Sequence, residues 1–190
     1  MSAAEAQETL RKLTSPDPGI QLHLDVNALY VILSTQSANN ACHWTLYLHI
    51  GPRLGWVFHI TNMGCVSWEY RCDEATEMTC SATAVSAVKI ADMAPEMHEA
   101  LRQRNGLDSK PAVKLQDTEQ FGPLTCRTWL LQALYELDNE GYISVLPRYS
   151  VKDVGEEASS LASTNQYLLE KKMAKMSELR KEMNSACCAL

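Results

Sequence analysis

The chain has 190 residues, of which 46% are apolar and 21% are charged, and its formal net charge is -6. This length suits one domain with terminal extensions, and the composition is that of a folded protein rather than a disordered one. The negative charge excludes a nucleic-acid partner that is held by a positive surface. No apolar run is long enough to span a membrane, and the acidic N-terminus is unlike a signal peptide, so we expect a cytosolic protein.

The chain contains seven cysteines. A cytosolic protein keeps its thiols reduced, and an odd number cannot all be paired, so we interpret them as free thiols. Cys65, Cys72 and Cys80 are too widely spaced to form the paired knuckles of a zinc site. We therefore predict that the protein uses neither a metal nor a cofactor.

The first half of the chain reads as a leader followed by strands. Residues 1–19 end in the helix-breaking run Ser-Pro-Asp-Pro-Gly, and residues 28–33 are apolar and β-branched, which favours a buried strand. Polar and apolar residues then alternate over residues 43–50, so one strand face should carry His43, Thr45, Tyr47 and His49. A glycine-bounded turn over residues 51–55 leads to a second alternating strand at residues 56–60, which predicts an antiparallel hairpin.

The second half mixes strands and helices. Residues 66–71 extend the sheet, whereas residues 83–90 fit either a strand or part of a helix. Residues 95–104 predict a short helix, and another helix begins at Cys126, with Thr125 or a neighbour as its cap. A long amphipathic helix is predicted over residues 161–184, where an apolar stripe comprises Leu161, Leu168, Leu169, Met173, Met176, Leu179 and Met183.

These elements predict an α+β fold. An antiparallel sheet of about four to six strands should pack against the helix that begins with Cys126, with the C-terminal helix at the periphery. We divide the chain into a flexible leader at 1–19, a central domain at 20–150, and a linker with the amphipathic helix at 151–190.

Cys126 is the best candidate for a nucleophile. The first turn of a helix lowers the pKa of a thiol, and a neighbouring imidazole can take its proton. We assign His43 as the general base and acid, and His59 as the residue that orients His43, because same-face side chains on paired strands lie about 5 Å apart. The strand register is not determined by the sequence, so His49 remains an alternative for either histidine.

The segments His43-Trp-Thr-Leu-Tyr-Leu and Gly55-Trp-Val-Phe-His-Ile60, followed by a cysteine that opens a later helix, carry a resemblance. This layout resembles the circularly permuted papain-like thiol enzymes. That group includes NlpC-type relatives, the lecithin:retinol acyltransferase family and small uncharacterised fungal proteins of the same layout. His43, His59 and Cys126 match the positions of the first histidine, the second polar residue and the cysteine.

The resemblance implies a permuted papain-like domain and acyl-transfer chemistry. Cys126 would attack an amide, ester or thioester of a small-molecule or peptide substrate, and a covalent thioester would form. The surrounding Leu-Thr-Cys-Arg-Thr-Trp differs from the Asn-Cys pair of the acyltransferases, so the reaction class carries over better than their lipid substrates. The alternative is a non-catalytic interaction module, in which Cys126 is a buried structural thiol and the C-terminal helix contacts a partner or membrane.

The last four residues, Cys187-Cys-Ala-Leu190, have the form of a prenylation box. Lysines and arginines in the preceding segment exceed its glutamates slightly, which provides a weak basic patch. If Cys187 carries a lipid, the protein associates peripherally with a membrane; otherwise the four residues match by chance. The same predicted helix could instead dock onto the domain or pair with a second copy of the chain, since its methionines suit an adaptable interface.

Overall fold

The computed structural model describes residues 22–36, 41–62, 67–75, 78–105 and 116–190. The predicted leader lies outside these residues, as does Cys65. Within the described part of the chain there are six strands: β1 (Ala28–Thr35), β2 (Cys42–Gly51), β3 (Leu54–Thr61), β4 (Glu69–Ala75), β5 (Ala84–Asp92) and β6 (Glu182–Asn184). The same residues form helices α1 (Pro95–Asn105), α2 (Cys126–Asn139) and α3 (Val151–Glu170), with 3-10 turns at Met78–Cys80 and Met176–Glu178.

The strands make one sheet in the order β4-β3-β2-β1-β5-β6. Neighbouring strands are antiparallel except β6, which pairs with β5 in parallel. The α+β prediction is therefore confirmed, but a purely antiparallel sheet was wrong, because the C-terminal segment adds a strand in the parallel direction. The undecided segment at residues 83–90 forms β5, whose first eight residues are all buried and so show no alternation.

The two faces of the sheet have different coverings. On one face α2 and α3 pack against β1 and β2 through residues such as Leu33, Trp44 and Leu46. On the other face a smaller apolar cluster is built around Tyr30 and Tyr47. This division confirms the alternation that was predicted for β2, and it places successive residues of that strand on opposite faces.

Gly55 holds the β2–β3 hairpin close together. A Cβ at this position would collide with the Leu48 carbonyl oxygen and would lie 2.5 Å from the Tyr47 hydroxyl. Gly51, at the other end of the turn, has open space where a Cβ would stand. The hairpin therefore needs glycine at residue 55 for steric reasons, because the Tyr47 ring lies across the backbone of β3.

The C-terminal region differs most from its prediction. The helix begins at Val151 and ends at Glu170, so neither a linker at its start nor a helix through residue 184 is present. Its buried side chains include Val154 and Ala158, which pack in the main core. After a left-handed residue at Lys172 the chain turns back and adds β6 to the sheet. The predicted peripheral helix is thus a core helix followed by a docked tail.

Among the described residues, the helices are all too short or too polar to cross a bilayer.

Candidate functional site

Cys126 is the first residue of α2, as the sequence predicted. The helix start is held by a reciprocal pair of hydrogen bonds. The Thr125 hydroxyl accepts a bond from the Thr128 backbone N–H at 3.1 Å, and the Thr128 hydroxyl accepts one from the Thr125 N–H at 2.8 Å. This capping box fixes the direction in which the chain enters the helix, and hence the position of the Cys126 side chain.

The Cys126 thiol lies against the beginning of β2. Its Sγ atom is 3.9 Å from the Cys42 carbonyl oxygen, to which it donates a hydrogen bond. The pairing between β2 and β3 runs only from Leu46–Phe58 to the hairpin turn, so the described residues of β3 do not pair with the first four residues of β2. The helix start therefore meets β2 in a stretch where its backbone has no partner on the β3 side.

The pKa of Cys126 is shifted in the direction opposite to the one expected from a helix start. Burial raises the pKa of the thiol, while the backbone N–H groups of Trp44, Arg127 and Cys126 itself lower it in part. Burial outweighs these donors because the thiolate loses more hydration than they restore. At neutral pH the sulfur is consequently a thiol that needs a base.

His43 and His59 are in direct contact. The His43 Nε2 atom lies 2.7 Å from His59 Nδ1, and the two rings are nearly perpendicular at an interplanar angle of 81°. This confirms that the hairpin brings the two histidines together. Burial, with a smaller contribution from His59, lowers the pKa of His43 to about 4. His43 is therefore a neutral imidazole at pH 7 and has the protonation state of a base.

The structure does not join the thiol and the histidine pair by a hydrogen bond. His43 follows Cys42 in β2 and projects to the same face as Tyr47, whereas Trp44 projects to the face that the helices cover. The Cys126 sulfur meets the backbone between these faces, at the Cys42 carbonyl. The Cys126 sulfur and the His43 ring thus both lie at residues 42–44 of β2, but on different sides of the strand.

His49 does not replace either histidine. It is 3% exposed, and its Nδ1 atom lies 3.1 Å from the Tyr47 hydroxyl. It sits near the hairpin turn, opposite Gly55, at the far end of β2 from His43. The alternative assignment of His49 was therefore wrong, because the strand register separates it from the pair.

Asp73 is a neighbour of the pair that the sequence did not reveal. Its Oδ2 atom lies 3.4 Å from His59 Nε2, so the three side chains form a continuous row, and its own side chain is 58% exposed. The β4 register places Asp73 opposite Val57 and Arg71 opposite His59. The strand predicted at residues 66–71 ended too early to include Asp73. Had it been extended, Asp73 would have been placed on the same face as Arg71, because side chains two residues apart on a strand project to the same side.

A polar cavity of about 370 Å³ opens beside Cys42, the residue that the Cys126 thiol contacts. Its walls include Cys42 and Trp44 from β2, Arg127 from α2, and Ser163 and Gln166 from α3. The Gln166 side-chain amide donates to the Cys42 sulfur at 3.5 Å, while burial raises the pKa of Cys42. The cavity thus borders Cys42, whose carbonyl oxygen accepts the hydrogen bond from the Cys126 thiol. Cys42 is a further thiol at the site that the sequence did not single out.

Cys187 lies in the docked tail and is 3% exposed. The Leu146 backbone N–H donates to the Cys187 carbonyl at 2.8 Å, and Glu157 accepts bonds from the Ser185 hydroxyl and the Ala186 N–H. Burial, together with Glu157, raises the pKa of the Cys187 thiol to about 11. A lipid on this sulfur would require the tail to leave its position on the domain.

Among the described residues, no group of three or more histidine, cysteine, aspartate or glutamate side chains is arranged to hold a metal ion. Comparison of the chain with protein-family models, with curated proteins and with solved structures gives no match.

Proposed function

We propose that the protein is a cysteine-dependent hydrolase or acyltransferase of permuted papain-like layout, with Cys126 as its nucleophile. The observation that carries this proposal is the 2.7 Å contact between His43 and His59, next to the stretch of β2 that binds the Cys126 thiol. A base and its orienting partner beside a cysteine at a helix start are the parts that thiol acyl transfer requires.

The protonation states suit general-base catalysis. His43 is neutral at pH 7 because its pKa is lowered to about 4, and the Cys126 thiol is neutral because burial raises its pKa. The reacting pair would therefore not rest as a thiolate and an imidazolium. The hydrogen bond between the His43 ring and Sγ, which the structure does not contain, would instead have to form when substrate binds, as catalytic contacts often tighten in the substrate complex.

The reaction has two steps. The sulfur attacks the carbonyl carbon of an amide, ester or thioester, and its proton passes to His43 as the S–C bond forms. His43 then returns this proton to the departing amine, alcohol or thiol, which leaves a thioester on Cys126. In the second step His43 removes a proton from water or another acyl acceptor, whose attack releases the acyl group and restores the thiol.

Backbone donors near the sulfur suit the developing oxyanion. The N–H groups of Cys126 and Trp44 both lie close enough to the sulfur to lower its pKa. An oxygen that forms next to the sulfur would lie within reach of the same donors, and fixed backbone dipoles stabilise such charge without reorganisation. Trp44 therefore supplies, through its backbone, the second donor that complements the N–H of Cys126.

An electrophilic thiol probe tests the proposal. The probe should modify Cys126 faster than the other cysteines, and His43→Ala should suppress this reaction by roughly tenfold or more. Cys72 is the internal reference, because it is also half-buried and burial also raises its pKa. His98→Ala is the matched control, since His98 bonds to the Met93 carbonyl outside the site.

Two results would overturn the enzyme proposal. One is equal modification of Cys126 and Cys72, and the other is an unchanged rate at Cys126 in the His43→Ala variant. Either would favour the non-catalytic alternative, in which Cys126 is a structural thiol. In that alternative a partner would contact the outer side of the C-terminal region, where Tyr167 and Met173 are exposed, because the inner sides of α3 and of the tail pack on the domain.

A further inference from the structure

The row of side chains beyond His43 ends in a group that can only accept a hydrogen bond. His43 contacts His59, and the other ring nitrogen of His59 faces the Asp73 carboxylate at 3.4 Å. The charges that act on His59 come from β4: Asp73 raises its pKa and Arg71 lowers it, although burial dominates and the net pKa is lowered. Both histidines are therefore neutral near pH 7, and each carries one ring proton.

The acceptor at one end determines where each proton lies. Because an ionised carboxylate cannot donate, His59 must present Nε2–H to Asp73, and its Nδ1 is then an acceptor. The 2.7 Å bond to His43 must in consequence be donated by His43 Nε2–H. A neutral imidazole that is protonated at Nε2 carries its lone pair on Nδ1, so that Nδ1 of His43 is the atom free to take a proton.

We propose that Asp73 is a positioning residue, which acts through His59 to hold His43 in the tautomer whose Nδ1 serves as the base for Cys126. Without Asp73, His59 could reverse its tautomer and donate from Nδ1 to His43 Nε2. His43 would then carry its proton on Nδ1. That atom would have no lone pair with which to accept the proton of Cys126. This inference rests on the proposed function for its catalytic meaning, whereas the order of the ring protons can be measured without any reaction.

The experiment compares Asp73→Ala, Asp73→Asn and a control, Glu74→Ala. Glu74 is the next residue of β4, is also exposed, and pairs with Trp56 rather than with a site histidine. Nitrogen-15 chemical shifts of the imidazole rings report the tautomers of His43 and His59, and alkylation of Cys126 reports the reactivity of the thiol. Since Asp73 and Glu74 are surface residues, the variants should fold.

In the wild type and in Glu74→Ala, both histidines should be protonated at Nε2. Asp73→Ala should give a mixture of tautomers and slow Cys126 alkylation roughly three- to tenfold, a modest loss because solvent screens an exposed carboxylate. Asp73→Asn should keep both the wild-type tautomers and most of the Cys126 alkylation rate, because its amide oxygen still accepts a hydrogen bond.

Unchanged tautomers in Asp73→Ala would overturn this inference, even if Cys126 is the most reactive thiol. Conversely, if Cys126 proves unreactive while Asp73→Ala alters the tautomers, the proposed function fails and the positioning by Asp73 stands. A loss of reactivity that Glu74→Ala shares would also count against a specific role for Asp73.

Discussion

His43 Nε2 and His59 Nδ1 lie 2.7 Å apart, on two strands whose backbone pairing stops before it reaches them. The pair is mostly shielded from water, and this shielding keeps both rings neutral. The contact ties the open ends of β2 and β3 together where the backbone ladder does not, so it has consequences for stability as well as for chemistry.

The first prediction concerns stability at acidic pH. The pKa of His43 is about 4 in the folded protein and about 6.5 in an unfolded chain, so the unfolded state binds more protons between these values. The ionisation of His43 therefore leaves the free energy of unfolding unchanged above pH 6.5. As the pH falls towards 4, it lowers this free energy by at most about 3 kcal/mol. Urea unfolding of the wild type and His43→Asn at pH 7.5 and pH 5 measures this difference. Parallel pH profiles for the two proteins would contradict it.

The second prediction concerns the hairpin glycines. Gly55→Ala should destabilise the protein by about 2 kcal/mol or more, because the new methyl group collides with the Leu48 carbonyl and the Tyr47 ring. Gly51→Ala is the matched control and should change stability by less than about 0.5 kcal/mol, since its methyl group enters open space. Chemical denaturation of both variants distinguishes them. Equal effects would show that the Tyr47 ring does not restrict residue 55.

The third prediction concerns the helix cap. Thr125→Ala removes one half of the capping box at Cys126 and should cost about 1 kcal/mol of unfolding free energy. It should also change the rate at which an electrophile modifies Cys126, because the chain that enters the helix loses its anchor. Ser150→Ala is the control, since Ser150 precedes α3 and bonds to Asp153 instead. If both variants alter Cys126 reactivity equally, the effect comes from general loosening of the fold.

The fourth prediction concerns the docked tail. Cys187 should resist thiol reagents in the native protein, because it is buried and its pKa is raised to about 11. Glu157→Ala removes the acceptor of the Ser185 and Ala186 bonds and should expose Cys187 to modification, as measured by mass spectrometry of peptides. Glu156→Ala is the control, because Glu156 pairs with Arg127 instead. Rapid modification of Cys187 in the unaltered protein would show that the tail is not held down.

The C-terminal region shows why a helical pattern can mislead. Apolar residues recur at helical spacing from Leu161 to Met183, yet the helix ends at Glu170. Lys172 adopts a left-handed conformation, a role usually taken by glycine, so no glycine or proline marked the stop. The residues beyond it gain more by docking on β5 and on the loop after α2 than by continuing an exposed helix. That gain depends on surfaces that are distant in sequence.

The local patterns were sufficient for the parts of the site that lie within one element. Alternation in β2 assigned His43 to a face, and the residues around Thr125 marked a helix start at Cys126. Both follow from the geometry of a single strand or helix, in which side chains project with a fixed period. The contact between His43 and His59 was also predictable, because a short turn makes neighbours of consecutive strands.

The groups that surround these residues, and the way these residues ionise, depend on contacts between separate elements. The tertiary structure excluded His49 through the strand register, added Asp73 from β4, and raised rather than lowered the pKa of Cys126 through burial. Register, neighbours across the sheet and loss of hydration all depend on how separate elements pack. The candidate residues and their local geometry therefore follow from the sequence, whereas their charge states and partners follow from the packing of α2 and β4 around the hairpin.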